Sequence, residues 1–401
     1  MKKIKLTNTN KMAVVTFFSN LYFYNHIGTL YQQTRGLNLL QVNSIWSIIV
    51  GTIFVAEVPT GVLADKIGRK WSVVIALLLQ ALGEFFYFFA KDYLVFILIA
   101  ILAGVGYAFL SGANEALIYD SLPEKDREAE MKKSMGLIGS AYQLAFFAAP
   151  LIGGLIVSQL VLTKFLMAIF FTACSVTVAF LISLTLKEPQ DGYQHAEANP
   201  LAIFKAGINQ VKSSPKLKWL IAISVLTATF SNSLVSLYQP YFAQASVPTF
   251  WIGAALSLGG LVAFLIQKYA YRIEKKLGKP GFLVLTLWPG VMYLLFASVS
   301  LPALLVPVFV LAYASIEARN PLLSAYKNVQ IESRNRATVL SLTNMFTSLY
   351  VALMSLLIGR IADYSIPIAF TTIGLLIIFF GILLRTDKVI VDELQANGNN
   401  R

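Results

Sequence analysis

Apolar residues form long runs along the whole chain, and short polar segments separate these runs. An α-helix needs about 20 predominantly apolar residues to cross a bilayer, and most runs reach that length. The runs predict membrane spans at residues 12–34, 40–64, 71–91, 93–122, 135–158, 164–186, 217–242, 250–270, 280–299, 301–326, 337–362 and 365–386. The pattern therefore predicts an all-α integral membrane protein with twelve transmembrane helices.

The longest polar stretch between spans, residues 187–216, divides the predicted helices into six and six. It contains Pro189, Gly192 and Pro200, which are residue types typical of a linker. Short sequences of the first half recur in the same order in the second half. The matches include Leu30-Tyr31-Gln32 with Leu237-Tyr238-Gln239, Tyr107-Ala108 with Tyr313-Ala314, and Ile152-Gly153 with Ile358-Gly359. We therefore expect two six-helix pseudo-repeats, at residues 1–186 and 217–401, an arrangement that transporters use.

The positions of Lys and Arg predict the orientation of the spans. Of 32 such residues, only Arg35, Lys91, Lys164 and Arg360 fall on one side, and Arg319 falls inside a span. The remainder lie on the other side, so both termini and the linker are expected in the cytoplasm. The net charge of +12 follows from this asymmetry, because basic loops lie beside anionic lipid headgroups, and does not indicate nucleic-acid binding.

The short loop between spans two and three reads Gly61-Val-Leu-Ala-Asp65-Lys-Ile-Gly68-Arg69-Lys70. It resembles the signature loop of the major facilitator superfamily, Gly-x-Leu-Ala-Asp-x-x-Gly-Arg-Lys. The resemblance implies the major facilitator fold and movement of a small-molecule substrate by alternating access. We expect a monomer embedded in the lipid bilayer of a bacterial cytoplasmic membrane.

The same resemblance implies a gating latch at the cytoplasmic membrane surface. An acid at the end of span four typically pairs with the loop arginine in the superfamily, which matches Asp120 with Arg69. Asp65 is then expected near the N-terminus of span eleven, where a helix dipole favours a carboxylate. The latch residues are Gly61, Asp65, Gly68, Arg69, Lys70 and Asp120. These charges could instead be surface groups with no gating role.

Several ionisable residues fall inside predicted spans, where charge is costly and function is the usual explanation. Glu57 in span two and Glu115 in span four are expected at similar depth, and each is a candidate for carrying a proton. Glu317 in span ten is the third candidate, while Arg319 points another way and is expected to pair with a neighbouring helix. Each glutamate could instead hydrogen-bond a neighbouring helix. Glu84 ranks lower because span three is usually peripheral in the superfamily.

Polar residues recur at helical spacing in spans one, four, seven and ten, which line the substrate cavity in the superfamily. The cavity candidates are Asn20, Tyr24, His26 and Tyr31 in span one, Ser111 and Asn114 in span four, Asn232, Ser236 and Gln239 in span seven, and Tyr313 and Asn320 in span ten. Such groups can also serve packing between helices. The aromatic, acidic interior favours a lipophilic cation or a neutral amphiphile over a phosphate, which would require several arginines.

Span five contains Ala149-Pro150-Leu-Ile-Gly153-Gly154. This resembles the Gly-Pro-x-x-Gly-Gly element of proton-coupled drug exporters, with Ala149 in place of the first glycine. Proline bends a helix and glycines permit close packing, so Pro150, Gly153 and Gly154 are expected to be structural. Span four lacks the arginine that many drug exporters carry there, which departs from the usual antiport pattern.

The chain carries no nucleotide-binding sequence, nucleophile motif or metal-ligand cluster, so we expect neither an enzyme nor a cofactor or metal site. The energy source is then an ion gradient, with protons favoured over sodium. A proton-coupled exporter of small amphipathic or cationic compounds is the first hypothesis. An uptake symporter or facilitator for a nutrient is the second, and a membrane sensor that does not transport is the third.

Overall fold

The computed structural model describes residues 7–189, 208–209, 211–277, 279–330 and 336–384. All regular secondary structure in these residues is helical, which confirms the all-α prediction. The helices of the first half are α1 (Asn8–Ser19), α2 (Gly28–Thr34), α3 (Leu39–Ile67), α4 (Arg69–Phe89), α5 (Tyr93–Leu110), α6 (Ala113–Asp120), α7 (Arg127–Ile156) and α8 (Leu162–Ser183). Those of the second half are α9 (Pro215–Leu226), α10 (Ser231–Gln244), α11 (Thr249–Leu277), α12 (Lys279–Ser298), α13 (Pro302–Gln330), α14 (Arg336–Tyr364) and α15 (Ile366–Leu383).

Nine helices of the described residues are long and apolar enough to cross a membrane, when a helix with a short break counts as one. Two shorter apolar stretches cover Thr286–Ser298 and Pro302–Glu317. The predicted first span is not among them, because it is divided into the short helices α1 and α2. The count of twelve therefore stays a prediction. So does the cytoplasmic placement of the termini, which lie outside the described residues.

Contacts divide the chain into two compact units. The first contains Met1–His195 together with Pro248–Ser257, and the second contains Ala196–Val247 together with Leu258–Arg401. The boundary at residue 195 falls within the predicted linker. Residues 248–257 join the first unit although the sequence placed them in the second half, so the two pseudo-repeats at 1–186 and 217–401 stay a prediction.

The first predicted span is interrupted between α1 and α2, over residues 20–27, which we call the broken segment. Away from water, backbone groups that leave a helix need other partners. Two side chains of α8 supply them: the Thr172 hydroxyl accepts from the Phe23 backbone N–H at 3.0 Å, and the Ser175 hydroxyl donates to the Phe18 carbonyl at 2.7 Å. These bonds fix the broken segment against α8.

A corresponding interruption separates α9 from α10 in the second unit. The Tyr293 hydroxyl donates to the carbonyl oxygens of Thr229 and Phe230, at 2.7 and 3.2 Å. Phe230 has a φ of +49°, in the left-handed region that a non-glycine residue rarely adopts. Both interruptions fall at matching places of the two halves, although the sequence predicted continuous spans there.

The fourth predicted span is also divided, where α5 ends and α6 begins. Gly112 lies at the division with a φ of +75°, which glycine adopts without the steric cost that a Cβ would add. Ser111 is exposed beside it. Helix α6 begins after this division and carries Glu115 and Asp120, of which Asp120 belongs to the latch.

Helix α7 makes the closest backbone contacts of the first unit, around Pro150. A Cβ at Gly153 would collide with the Phe23 carbonyl oxygen and lie 2.6 Å from His26 Cε1. A Cβ at Gly253 would collide with the Pro150 carbonyl oxygen. Gly154 has less severe contacts, since its Cβ would lie 3.2 Å from the Phe250 carbonyl oxygen. The geometry gives this stretch of span five a packing role.

We predict that Gly153→Ala destabilises the protein by about 1–3 kcal/mol, because the added methyl group overfills a contact between backbones. Gly139→Ala is the matched control in the same helix, since nothing lies within 4 Å of a Cβ there. The control should be neutral or gain up to ~1 kcal/mol, because alanine favours a helix interior over glycine. Thermal unfolding of the purified variants measures both effects, and equal stabilities would contradict the packing role.

Candidate functional site

The latch begins at the sharp connection between α3 and α4. Gly68 is buried at this connection with a φ of +100°, where another residue would be strained. Its carbonyl accepts a hydrogen bond from the Ser72 hydroxyl at 2.9 Å, which fixes the first turn of α4. Gly61 is exposed, and a Cβ there would meet open space. Of the two glycines, the geometry therefore requires only Gly68.

The Arg69 guanidinium group contacts the end of α6. Its Nη1 atom forms an ion pair with the Asp120 carboxylate and donates to the Ala116 carbonyl at 2.9 Å. The Arg69 and Asp120 side chains are 31% and 15% exposed, so the pair is partly shielded from water. The structure thus brings together the two residues that the resemblance matched. Whether this contact gates transport stays a prediction.

The other two charges of the latch are arranged differently. The Lys70 ammonium group lies over the Trp71 ring, 5.0 Å from its centroid, in a cation–π contact. The side chain of Asp65 lies outside the described part of the chain, so its expected position near span eleven stays a prediction. Among the described side chains of the latch, the ion pair that joins two of its members is that of Arg69 with Asp120.

Glu188, which follows the last turn of span six, completes this site although no sequence pattern pointed to it. Its two carboxylate oxygens accept hydrogen bonds from the backbone N–H groups of Arg69 and Lys70, at 2.9 and 3.0 Å. A carboxylate at a helix N-terminus satisfies free donors and complements the helix dipole. Asn8 positions this segment, since its side chain exchanges two hydrogen bonds with the backbone of Lys187 at 2.8 and 3.0 Å.

The three proton-carrying candidates differ in their surroundings. Glu57 and Glu115 are exposed on the first unit. Glu317 in the second unit is half-buried, and the Gln267 amide donates to its carbonyl at 3.2 Å and to its carboxylate at 3.5 Å. The side chains of Arg319 and Asn320 lie outside the described positions, so their expected directions stay predictions.

Glu84 of α4 is the buried carboxylate of the first unit, although the sequence ranked it low. It is 8% exposed, and the Tyr24 hydroxyl lies 3.0 and 2.9 Å from its two oxygens. The Tyr22 hydroxyl also hydrogen-bonds to it. Tyr22 and Tyr24 belong to the broken segment, so the interruption of span one turns both rings toward α4. The feature of the sequence that pointed to Glu84 was Gln80, a second polar residue one helical turn earlier in span three.

The other cavity candidates of the first half fall into two groups. Asn20 and Tyr31 bond to backbone carbonyls: Asn20 donates to Thr16 at 2.8 Å, and the fully buried Tyr31 donates to Tyr87 at 3.1 Å. His26 and Asn114 instead have buried polar atoms without a hydrogen-bond partner in the described residues. Those atoms are both imidazole nitrogens of His26 and Oδ1 of Asn114.

The candidates of the second half have a similar range of surroundings. Asn232 is exposed, whereas Gln239 is buried and donates to the Val235 carbonyl of its own helix at 2.8 Å. Ser236 likewise donates to a carbonyl of its own helix, that of Ser233, at 3.1 Å. Tyr313 is half-buried against Gly259, where a Cβ would lie 3.1 Å from its ring. Of these four described side chains, Asn232 is the most exposed.

We predict that Arg69 and Asp120 are energetically coupled. A double-mutant cycle with Arg69→Gln and Asp120→Asn should give a coupling energy of about 1 kcal/mol, because the pair is charge-assisted but partly exposed. The matched control is the more exposed pair of Glu130 and Lys133, 2.6 Å apart on α7, where a smaller coupling energy is expected because water screens the charges. Unfolding of the four purified proteins measures the coupling. A value no larger than that of the control pair would contradict the ion pair as a stabilising contact.

We also predict that Glu188→Gln lowers stability by about 0.5–1.5 kcal/mol, because an amide keeps one acceptor but loses the charge at the start of α4. The exposed Glu124 offers a control, and Glu124→Gln should change stability by less than ~0.5 kcal/mol. Thermal unfolding at low and high salt tests the electrostatic part. Equal effects of the two substitutions would show that the Glu188 carboxylate does not stabilise the N-terminus of α4.

Comparison with known proteins agrees with this fold. The chain is 22% identical to the MFS-type transporter YxaM of Bacillus subtilis over 93% of each protein. It is 25% identical to Multidrug resistance protein 2 of Bacillus subtilis over 78% of each, and 24% identical to the quinolone resistance protein NorA of Staphylococcus aureus over 65% of this chain and 66% of that protein.

Solved structures share the fold at low sequence identity. The nucleoside transporter NupG superposes with a TM-score of 0.71 at 13% identity, covering 96% of this chain and 98% of NupG. The D-xylose-proton symporter gives 0.69 at 14% identity, with 94% and 98% covered. The sequence profile of the Major Facilitator Superfamily matches residues 12–350. The chain therefore belongs to the Major Facilitator Superfamily of membrane transporters.

Proposed function

We propose that this transporter exports small amphipathic or cationic compounds in exchange for protons, as a monomer in a bacterial cytoplasmic membrane. The observation that carries the proposal is the acidic charge within the predicted spans. Away from the span ends, the glutamates Glu57, Glu84, Glu115 and Glu317 face only Arg319 and His26 as possible cations. Carboxyl groups at membrane depth suit protons and cationic substrates, whereas an anionic substrate would require basic partners.

Two of the relatives support the export direction. Multidrug resistance protein 2 and NorA are named for resistance to drugs, which fits removal of compounds from the cell. The solved relatives transport nucleosides and xylose, but at 13–14% identity they support the fold alone. Uptake of a nutrient is therefore the alternative that the transport experiment has to exclude.

The latch has a defined part in this proposal. Arg69, Asp120 and Glu188 tie the start of α4 to the end of α6 and to the segment after α8. Alternating access requires such cytoplasmic contacts to form and break as the transporter changes state. We propose that the ion pair of Arg69 with Asp120, together with Asp65, favours one of those states. Gly61 and Lys70 belong to the same motif, and Gly68 gives the connection its sharp turn.

The direction of transport can be measured with ethidium, an amphipathic cation, in proteoliposomes of the purified protein. A lumen more acidic than the medium should drive ethidium inward through exchange for protons, and collapse of the gradient should release it. Liposomes without protein are the control. Accumulation with the gradient reversed would identify a symporter, and entry that stops at the external concentration regardless of the gradient would identify a facilitator. Either result would contradict the proposed exchange.

We predict that the proton carrier is among Glu57, Glu115 and Glu317. Glu115→Gln should abolish gradient-driven accumulation while leaving ethidium exchange without a gradient measurable, and Glu57→Gln should do the same or weaken binding. Glu317→Gln is tested beside them, because Glu317 is the most buried of the three. Glu124→Gln, which removes an exposed carboxylate, is the control. If all three variants concentrate ethidium like the unmodified protein, the proton carrier is a different residue.

A further inference from the structure

Glu84 is held in an unusual environment within the first unit. Its carboxylate is 8% exposed and accepts hydrogen bonds from the hydroxyls of Tyr24 and Tyr22. Among the described residues no Lys, Arg or His forms an ion pair with it. A buried carboxylate without a counter-charge is costly, and hydroxyl donors offset only part of that cost. The site therefore lacks the cation that a buried carboxylate ordinarily has.

A second acceptor lies beside this carboxylate. Gln80 precedes Glu84 by four residues on α4, so both side chains project from the same face of the helix. Gln80 is 9% exposed, and its Oε1 atom has no hydrogen-bond partner in the described residues. Native proteins rarely leave a buried acceptor unsatisfied. One anionic and one neutral acceptor, one turn apart on the same face of the helix, suit a ligand that donates hydrogen bonds.

Aromatic rings surround the two acceptors. Tyr24 stacks on Tyr87 at 5.1 Å with the ring planes 15° apart, and Tyr22 meets Tyr24 edge to face at 5.8 Å. Tyr107 lies within electrostatic range of Glu84 and is 37% exposed, while Tyr22 and Tyr24 are half-buried. These rings can therefore be reached from the surface of the unit. Tyrosine faces attract organic cations, and the carboxylate repels anions.

We propose that Glu84 and Gln80, together with Tyr22 and Tyr24, bind the ammonium group of an amphipathic organic cation. The ammonium group donates hydrogen bonds to the Glu84 carboxylate and to Gln80 Oε1, and the apolar part of the ligand packs against the tyrosine rings. The assignment rests on the proposed function for its substrate class. It adds a substrate subsite in span three, outside the four spans that the sequence assigned to the cavity.

The subsite is tested by binding to the purified full-length protein, with 4-phenylbutylammonium as the cationic probe and 4-phenylbutanol as its neutral counterpart. Ligand-dependent shifts of the thermal unfolding midpoint give the apparent affinities. The ammonium probe should bind at least tenfold more tightly than the alcohol. Glu84→Gln should weaken ammonium binding at least tenfold and change alcohol binding less than twofold. Glu124→Gln should change neither.

Gln80→Leu provides an independent variant, and it should fold well because it removes an unsatisfied polar atom. It should weaken ammonium binding about threefold or more without changing alcohol binding. If Glu84→Gln cannot be purified, this variant decides the question. Unchanged ammonium binding in either variant, or equal binding of the two probes to the unmodified protein, would falsify the subsite.

The binding and transport experiments can refute the subsite and the exchange mechanism separately. Unchanged 4-phenylbutylammonium binding in the Glu84→Gln variant, with proton-driven ethidium transport intact in the unmodified protein, would remove the subsite and leave the exporter proposal standing. Ammonium binding that depends on Glu84, without proton-driven transport, would leave the subsite and remove the exchange mechanism.

Discussion

The structure depends on one constraint, which is that backbone groups leaving a helix at membrane depth must find partners inside the protein. Span one leaves its helix over residues 20–27, and Thr172 and Ser175 of α8 meet the freed groups. This bonding turns Tyr22 and Tyr24 toward Glu84 and brings Phe23 against Gly153. The buried carboxylate, the close packing of α7 and the partners of α8 are thus consequences of the same interruption.

The site around Gly68 and Arg69 follows a similar rule at helix ends. Helix α4 starts directly after Gly68, so its first N–H groups lack partners within the helix. Glu188 accepts from two of them, and Asn8 holds the Glu188 segment through the backbone of Lys187. The Arg69 side chain is then directed to Asp120 from a fixed helix start. The ion pair therefore belongs to a larger set of contacts in the first unit, which joins α1, α4, α6 and the segment after α8.

The sequence predicted the features that depend on local pattern. Long apolar runs predicted the helices, and the resemblance to the superfamily's signature loop predicted the contact between Arg69 and Asp120, which the structure contains. The sequence did not predict the breaks in spans one and seven, because residues 12–34 and 217–242 read as continuous apolar runs. Those breaks depend on hydroxyl groups of Thr172, Ser175 and Tyr293 that are distant in sequence. For the same reason Glu84 was ranked low and Glu188 was missed, since their partners lie on other segments.

The two units share the interruption but not its chemistry. In the second unit one tyrosine, Tyr293, supplies both hydrogen bonds to the freed carbonyls of residues 229 and 230. In the first unit α8 supplies the backbone partners, which leaves the hydroxyls of Tyr22 and Tyr24 available to bond a carboxylate. The proposed subsite in span three lies next to the broken segment, because these two hydroxyls are free to turn toward the Glu84 carboxylate.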